Sequence, residues 1–393
     1  MANIRDIARQ AGVSIATVSR VLNNLPGVRE AARQAVMAAV NSAGYVPEIG
    51  RRSTSNIALF YTDVPSLDSP FDAALLVGLY EGLETLGCEL MILDARRSRR
   101  AGESFSHLFL RKGVQGALVR TTTLSQGVCR EIAREGFPMV VVGYRFEEPA
   151  VRCIYSDSRE ASGKAIEHLI GLGHRRIAVC IHLVEDSDHV DRVAAYRQAL
   201  ESHGIPFDDR LVIRVSASRD GGVQAVRRIA MMARRPTALF LTDPLTSVGV
   251  LGEARRLGLR VPEELSLVGF DDAELRHCLV PQLTAVCQNS KALGQQAVAM
   301  LAQVIARPTG LGPTTKALRC WLDLHESTAA CPAQVAGQRV EPWSRPHLVQ
   351  RGRAGAEVSE ISSTPQESNP VAAASRRPPR PKADRATHNT RNT

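Results

Sequence analysis

Aromatic residues are scarce in this 393-residue chain, since Phe, Trp and Tyr together make up 4% of it. Long hydrophobic runs are also lacking, and no segment reaches the ~18 uninterrupted apolar residues that a membrane-spanning helix needs. The first residues lack the apolar core of a signal peptide and lead directly into a predicted helix. These absences favour a cytoplasmic protein without a membrane partner, and they leave little aromatic surface for stacking on a ligand.

Paired and metal-binding cysteines are absent from the sequence as well. The eight cysteines form no C-x-x-C pair and have no histidine at metal-ligand spacing. Several lie in apolar runs, as Cys180 does in IAVCIH, so we expect reduced, buried thiols, with a redox switch as the less favoured alternative. The sequence offers no nucleophile–base pattern, phosphate loop or G-x-G-x-x-G turn. We therefore expect no metal, no cofactor and no enzymatic activity.

Charge is unevenly distributed along the chain. Seven arginines against three acidic residues give residues 1–56 a charge of +4, and ten Lys and Arg against five acids give residues 336–393 a charge of +5. Since the whole chain carries +9, the body between these ends is close to neutral. Basic ends on a neutral body fit a nucleic-acid partner, although a basic tail can equally be a merely solvated one. The length predicts two or three domains.

Residues 3–23, NIRDIARQAGVSIATVSRVLN, predict two short helices joined by a tight turn. Asn3 can cap the first helix, and Asp6 stands three residues later, where it can answer the cap. Gly12 can end this helix and Ser14 can cap the next one. Two short helices around such a turn are the layout of a helix-turn-helix that reads DNA.

The second helix has two different faces. At 100° per residue, Val18, Val21 and Leu22 fall together and should be buried. The opposite stripe offers a planar fork for guanine from Arg20, together with hydroxyl and amide groups for phosphate oxygens. Thr17 either contacts a phosphate or only begins the helix, and the alternative for the whole face is an ordinary hairpin with solvated polar groups. The stripe consists of Ala16, Ser19, Arg20 and Asn23, with Ile15 between the two faces.

The segment AGVSIATVSRVLN, residues 11–23, resembles the N-terminal signature of the lactose-repressor/galactose-repressor family of bacterial transcription regulators. The similarity continues through a predicted third helix, residues 30–43, into GYVP at 44–47. The resemblance implies an all-α helix-turn-helix head over residues 1–47. It implies base-reading positions at Ile15, Ala16 and Arg20, and mainly backbone contacts at Ser14, Thr17, Ser19 and Asn23.

The linker, residues 48–56, departs from the family pattern. Family members usually carry A-R-x-L there, in a short hinge helix whose leucine enters the minor groove. Here the matching residues are RRST, with Thr54 in place of the leucine. We therefore expect a weak or absent leucine kink, with Arg51 and Arg52 entering the minor groove as charges.

Residues 57–330 alternate short β-type runs with amphipathic helical patterns. Such alternation predicts parallel sheets covered on both faces, and the length favours two α/β lobes with a ligand cleft near the carboxyl ends of the strands. Strands are predicted at 57–62, 89–94, 116–120, 139–142, 176–181, 211–215, 238–242 and 265–270, and helices at 72–86, 125–135, 160–172, 190–203, 222–233 and 245–257.

The family resemblance extends through this region to about residue 328. It implies a core like that of periplasmic sugar-binding proteins, with two lobes joined by three crossovers. Most of the matching motifs are structural, so Gly173 should end a helix and His174 should pack or hydrogen-bond. The motifs are LGHRRIA at 172–178, VGFDD at 268–272, PQLT at 281–284 and EST at 326–328.

Candidate effector-binding residues follow from the resemblance position by position. Arg192 matches the arginine that grips the effector, Asp271 a carboxylate that holds sugar hydroxyls, and Glu160 an acidic ligand-binding position. Thr242 departs from the asparagine of the A-N-D motif, and Asp72 replaces the second aromatic of P-F-F. An arginine beside carboxylates suits a polyhydroxylated ligand, and Asp72, if it faces the cleft, favours a ligand with donors or positive charge. The alternative for Arg192 and Glu160 is a structural ion pair between the lobes.

Three interpretations of function remain open. The leading one is a DNA-binding transcription regulator, a repressor by family habit, that binds a roughly palindromic double-stranded operator as a homodimer or tetramer and responds to a small sugar-like effector in the cleft. The second is a regulator with a degenerate cleft and no physiological effector. The third is an enzyme or a transport-type binding protein with an accessory head. The tail, residues 331–393, is rich in Pro, Arg, Ser and Ala and is expected to be disordered.

Overall fold

A computed structural model of the chain describes residues 3–22, 27–43, 55–184, 186–306 and 315–332. The predicted DNA contacts Asn23, Arg51 and Arg52 lie outside the described residues, as does nearly all of the predicted linker and tail. Within the described ranges, no helix combines the length and the apolar character that crossing a membrane requires.

The elements are numbered in chain order. The helices are α1 (Ile4–Gln10), α2 (Ile15–Leu22), α3 (Glu30–Ala43), α4 (Pro70–Glu84), α5 (Ala95–Ser98), α6 (Phe105–Arg111), α7 (Gln126–Arg134), α8 (Arg159–Gly171), α9 (Ser187–Ser202), α10 (Arg219–Ala230), α11 (Pro244–Arg256), α12 (Glu274–His277) and α13 (Ser290–Ala306). The strands are β1 (Asn56–Tyr61), β2 (Glu89–Asp94), β3 (Val114–Arg120), β4 (Met139–Val142), β5 (Cys153–Asp157), β6 (Ile177–His182), β7 (Val212–Val215), β8 (Ala238–Leu241), β9 (Ser266–Phe270), β10 (Thr284–Cys287), β11 (Thr315–Arg319) and β12 (Trp321–Asp323).

Helices α1 to α3 form the N-terminal head around a small apolar core. The Asn3 side chain accepts hydrogen bonds from the amides of Arg5 and Asp6, and the Asp6 carboxylate accepts from the Asn3 amide, which completes the predicted capping box. Gly12 has a φ of 64°, a left-handed conformation that glycine adopts without strain and that ends α1. The core consists mainly of Ile7, Ala8, Val18, Val21, Val36, Ala39 and Val40.

The first lobe is built on a six-stranded sheet in the order β11-β5-β4-β3-β1-β2, in which every neighbouring pair is parallel. Helices α4 and α13 cross closely on one face of this sheet. A Cβ on Gly78 would lie 1.9 Å from the Lys291 carbonyl oxygen, and one on Gly294 would lie 2.5 Å from that of Leu75. Both positions therefore need glycine for the two helices to approach each other.

The second lobe repeats the architecture with the order β12-β10-β9-β8-β6-β7, parallel except that β12 runs antiparallel to β10. The chain crosses between the lobes after β5, after β10 and between β11 and β12. The expected helical head with a two-lobed α/β core and three crossovers is thus confirmed. The strand ends that carry Tyr61 and Arg120 in the first lobe, and Phe270 in the second, lie at the carboxyl edges of the sheets, where ligands bind in such folds.

All eight predicted strands are present within one or two residues of their expected positions, and so are the six core helices, within about three residues. Gly173 has a φ of 92° and ends α8, while His174 is fully buried and bonds through Nδ1 to the Thr237 hydroxyl at 2.8 Å. The structural roles expected of these two residues are therefore correct. Strands β5, β10, β11 and β12 and the long helix α13 were not predicted.

Candidate DNA-reading face and interlobe cleft

The outer face of α2 presents the residues expected to meet DNA. Ile15, Ala16 and Arg20 are exposed, and Ile15 leaves 44% of its surface open to solvent although it is a large apolar residue. Val18 and Val21 are buried in the head, so α2 divides into two faces as its sequence indicates. An exposed apolar side chain beside an arginine on a short helix is suited to the edges of base pairs in a major groove.

The start of α2 is fixed by hydroxyl groups. The Ser14 Oγ accepts a hydrogen bond from the Thr17 amide at 3.1 Å, and the Ser14 and Thr17 hydroxyls lie 2.9 Å apart. Ser14 thereby caps the helix as expected, and Thr17 helps to hold the cap. Ser19 is half-buried on the flank of the same helix.

On the first lobe, Asp72 lies buried at the start of α4 and is joined to Arg120. The Arg120 Nε donates to the Asp72 Oδ1 at 2.9 Å, and the Ser66 and Ser69 hydroxyls also donate to this carboxylate. Burial lowers the pKa of Arg120, but the charge of Asp72 outweighs this effect and raises it. The carboxylate of Asp72 is therefore balanced by a partner on its own lobe, a pairing that the sequence did not reveal.

On the second lobe, Arg192 of α9 is buried but only loosely held. Its guanidinium stacks on the Phe270 ring with the carbon 3.6 Å from the ring centroid. Its Nε donates to the Ser158 hydroxyl at 3.4 Å and its Nη1 to the Thr242 carbonyl at 3.3 Å, while the Asp188 carboxylate stands 3.7 Å from Nη2. Stacking fixes the plane of the guanidinium, and its long hydrogen bonds leave its donors weakly used.

Asp271 follows β9 directly and has a φ of 76°, the only positive φ at a residue other than glycine among the residues described. Its carboxylate accepts from the Asp272 amide at 2.9 Å. Burial raises the pKa of this carboxyl to about 6, against the lowering effects of that amide and of Arg192. A strained backbone and a raised pKa at one buried acid are features that concentrate at binding sites.

The proton of the Thr242 hydroxyl is used in a hydrogen bond within the second lobe. This hydroxyl donates to the Cys180 carbonyl at 3.1 Å, which ties the end of β8 to β6. Asp243, the next residue, accepts from the Thr246 amide at 3.0 Å and caps α11. The residues that replace the expected A-N-D motif thus have identifiable structural bonds.

Glu160 lies on the exposed side of α8. Its carboxylate is 2.7 Å from the Lys164 ammonium in an i,i+4 pair, and 74% of the Glu160 side chain is open to solvent. It has no bond to Arg192, Asp271 or Asp72 among the described contacts. Of the candidate effector-binding residues, the structure brings Arg192, Thr242 and Asp271 together on one lobe, whereas Asp72 is held by Arg120 on the other lobe and Glu160 lies apart.

The first turn of α9 adds buried groups that the sequence analysis missed. Asp186 caps the helix, and its Oδ1 lies 2.8 Å from the His189 Nδ1. Asp188 is buried in the first turn of the helix. Burial and the charge of Asp186 raise the pKa of Asp188, although Arg192 and, across the cleft, Arg120 oppose this shift. The run EDSDH just before Arg192 is typical of a solvated helix start, but Asp188 and His189 within it are buried.

A family model described as bacterial regulatory proteins, lacI family, matches residues 3–48, and one described as a periplasmic binding protein-like domain matches residues 166–328. The HTH-type transcriptional regulator DegA of Bacillus subtilis (strain 168) is 30% identical over 302 residues, which cover 75% of this chain and 88% of DegA. The chain belongs to the lacI family. It is accordingly a DNA-binding transcription regulator.

Two further comparisons support membership of the lacI family along nearly the full length of the relatives. The HTH-type transcriptional repressor CytR of Escherichia coli (strain K12) is 30% identical over 335 residues, or 84% of this chain and 97% of CytR. The solved structure of the transcriptional regulator CelR in complex with cellobiose matches with a TM-score of 0.61 and 28% identity, covering 83% of this chain and 100% of CelR. Head and two-lobed core therefore occur together in these relatives as they do here.

Proposed function

We propose that this chain is a repressor that binds a roughly palindromic operator as a homodimer, and that a small polar effector in the interlobe cleft controls its operator affinity. The contact that supports this most directly is that of Arg192 with Ser158. Arg192 lies at the centre of the buried polar cluster, and Ser158 belongs to the first crossover between the lobes. A ligand that hydrogen-bonds to Arg192 would therefore affect Ser158, a residue of the hinge between the lobes.

The other crossovers approach the same cluster. Gln288 follows β10 at the second crossover, and a hydrogen bond from Gln288 is among the effects that lower the pKa of Asp271. Cys320 lies between β11 and β12 at the third, where the charges of Arg192 and Asp188 act on its thiol. A ligand bound among these groups would favour one lobe arrangement over another, which is the condition for shifting a conformational equilibrium.

The homodimer is supported by an apolar surface on the first lobe. Val77 and Tyr80 are exposed one turn apart on α4, and Ile92 is exposed on β2, the edge strand of the first sheet. Exposed apolar side chains of this size on a helix and a sheet edge are typical of an interface between copies. Two heads held by such a dimer would meet two half-sites of DNA with Ile15, Ala16 and Arg20. Asn23, Arg51 and Arg52 remain sequence-based candidates for additional DNA contacts.

The DNA part of the proposal can be tested by selecting bound sequences from a random duplex library with the full chain. The expected result is an inverted repeat whose affinity falls with salt, since phosphate contacts release counterions. A protein that binds all duplexes equally would contradict the proposal. We also infer the domain boundaries: the head spans residues 1–47, the linker 48–56, the core 57–330 and the tail 331–393.

A second candidate is a regulator whose cleft takes no effector. Two observations favour it: Asp72 is already paired with Arg120, and the Thr242 proton is used by the Cys180 carbonyl. A thermal-shift screen separates the candidates, because a ligand at 100 times its dissociation constant adds about 2.7 kcal/mol of stability. A ligand that both stabilises the chain and changes its operator affinity supports the effector-controlled repressor. If no compound stabilises the chain or changes its operator affinity, the second candidate is supported.

A further inference from the structure

We infer that the cleft is built for a protonated, hydroxylated amine, such as an amino sugar, whose ammonium group is held by Asp188, and not for a neutral sugar. This inference rests on the proposed function, because it names the chemical class of the effector in that same cleft. It depends chiefly on the carboxylate of Asp188, which is buried at the start of α9.

Negative charge predominates among the buried groups of the cleft. Three carboxylates are buried at the cleft, those of Asp72, Asp188 and Asp271, and the guanidinium groups near them among the described residues are those of Arg120 and Arg192. Asp72 is locally balanced, because it pairs with Arg120 at 2.9 Å. Asp188 and Asp271 share Arg192, so the site carries an excess of negative charge. Asp186 and Asp243 are half-buried beside these groups and cap α9 and α11.

Asp188 is the acid with the weakest partners. Its carboxylate lies 3.7 Å from the Arg192 Nη2 and 3.5 Å from the Ser187 hydroxyl, both long for a buried charge. An ammonium ion has three donors and one charge, and it would supply what this carboxylate lacks. Burial and the charge of Asp186 already raise the pKa of Asp188, which fits an acid whose countercharge arrives with a ligand.

A second, independent observation comes from buried polar atoms that have no hydrogen-bond partner. The Gln288 Oε1 is such an atom, and its residue is 4% exposed and adjoins Asp271. The Tyr61 hydroxyl, on the opposite lobe, is another such atom. Tyr61 is 3% exposed, and the charges of Asp72 and Arg120 act on its hydroxyl. Leaving such groups unsatisfied is costly, so each calls for a ligand atom.

These atoms specify the rest of the ligand. The Gln288 Oε1 can only accept, so it requires a donor, and the Tyr61 hydroxyl can do either. The loosely held donors of Arg192 require an acceptor. Hydroxyl groups both donate and accept, so a ligand with several hydroxyls and one ammonium group satisfies every member of the site.

The test uses pairs of compounds that share a hydroxylated skeleton, one member carrying an ammonium group and the other neutral. Suitable pairs are glucosamine with N-acetylglucosamine, galactosamine with N-acetylgalactosamine, and N-methylglucamine with sorbitol, each added at about 10 mM to the full-length chain in a thermal-shift assay. Magnesium chloride serves as a separate arm for a simple metal cation. We expect at least one amine to raise the melting temperature and to bind about tenfold more tightly than its neutral partner. Stabilisation by neutral members only, by magnesium only, or by no compound overturns the inference.

Substitution of Asp188 links the effect to this residue. Asp188→Asn keeps the size of the side chain and removes its charge, and Asp188→Ser is a second variant in case the first packs poorly. In both variants the ratio of amine to neutral affinity should fall from about ten to about one. Asp220→Asn is the matched control, because Asp220 is exposed and forms an ion pair with Arg219 on the surface. An unchanged ratio in folded Asp188 variants contradicts the assignment.

Operator binding separates the failure of this inference from that of the proposed function. A selected inverted-repeat duplex is first titrated with the chain alone, and then with each compound of the panel. If the duplex binds and a neutral sugar changes its affinity while no amine does, the effector-controlled repressor stands and the amine is wrong. If no duplex is preferred, the proposed function itself fails.

Discussion

The guanidinium carbon of Arg192 lies 3.6 Å from the centroid of the Phe270 ring. Phe270 is the last residue of β9, and the next residue is Asp271 with its left-handed backbone. One strand end therefore positions both the aromatic face that orients the arginine and the carboxylate that stands near it. The orientation of Arg192 depends on a planar, delocalised cation, a property that lysine does not share.

Arg192→Lys should separate the charge of this residue from its geometry. Lysine keeps one positive charge among the acids but loses the stack on Phe270 and the fork that reaches Ser158 and Thr242. We expect ligand affinity to fall about tenfold or more, and the melting temperature without ligand to fall as well. Both are measured by thermal shift and titration calorimetry. Arg255→Lys, on the exposed side of α11, should change neither, and an equal effect in both variants would refute the role of the stack.

The ionised carboxylate of Asp271 should lower the stability of the ligand-free protein at neutral pH. Its pKa is raised to about 6, so the folded state binds a proton that the unfolded chain releases near its ordinary value, and stability falls as pH rises through this range. Asp271→Asn keeps an oxygen for the Asp272 amide and removes the charge. We expect it to stabilise the protein by about 1–3 kcal/mol at pH 8 and by little at pH 4, while weakening ligand binding.

Denaturant unfolding at both pH values measures the effect of Asp271→Asn. Asp272→Asn is the control, because Asp272 is partly exposed and forms an ion pair with Arg276 at 2.7 Å. That variant should be destabilised and not stabilised at pH 8. A loss of stability in Asp271→Asn that is the same at both pH values would mean that the carboxylate contributes through packing or backbone geometry and not through its burial cost.

Local sequence signals predicted the head almost completely. The Asn3–Asp6 capping box, Gly12 and the two faces of α2 are all encoded within a few residues, so propensity and periodicity suffice. Strand β11 escaped prediction for the opposite reason. Its sequence TKALR is short and mostly exposed at the edge of the sheet, so it lacks the alternation that marks a strand. Its place beside β5 depends on pairing with residues about 160 positions away.

The cleft was only half visible in the sequence. Arg192 and Asp271 were found because they match family positions, whereas the pairing of Asp72 with Arg120 joins residues 48 positions apart and leaves no local pattern. Asp186 and Asp188 stand in an acidic run that is normally solvated, yet Asp188 is buried and Asp186 is half-buried. Burial and unbalanced charge are tertiary properties, so the groups that define the ligand's charge could not be read from the chain alone.

Glu103 should control acid stability. Its fully buried carboxylate accepts from Arg111 Nε at 2.7 Å and Nη2 at 2.8 Å, and it lies 3.1 Å from the His107 Nδ1. Burial alone would raise the pKa of Glu103, but these bonds outweigh it and lower the pKa to about 2. Its contribution is therefore present above the ordinary pKa of a glutamate and is lost as pH falls towards 2.

Glu103→Gln should destabilise the protein by about 3 kcal/mol at pH 7, because it leaves the charge of Arg111 without its partner. The loss should shrink as pH falls towards 2, where the wild-type carboxyl is itself protonated. Unfolding curves across this pH range provide the measurement. Glu84→Gln, at an exposed position on α4, should leave the unfolding curves unchanged. If the loss of stability in Glu103→Gln stays constant with pH, the ionised form of Glu103 is not what stabilises the protein.

Arg20→Ala should weaken operator binding by about 1–3 kcal/mol and relax the preference at one base position, since an arginine fork distinguishes guanine from the other bases. Arg9→Ala removes another exposed arginine, on α1, and should leave the base preference intact, with at most a smaller salt dependence. The measurement is a comparison of selected sequences for the two variants. Identical preferences in wild type and Arg20→Ala would exclude Arg20 as a base-reading residue.

Tyr80→Arg should convert the proposed dimer into a monomer. Tyr80 leaves 65% of its surface exposed on α4 and stands one turn from Val77, so two arginines facing each other across an isologous interface would add like charges to a desolvated surface. Light scattering on the full chain should report half the mass, and operator affinity should fall because one head binds one half-site. Met231→Arg, on an 87% exposed residue after α10, is the control and should remain dimeric. A Tyr80→Arg protein that keeps the mass of a dimer would move the interface away from α4.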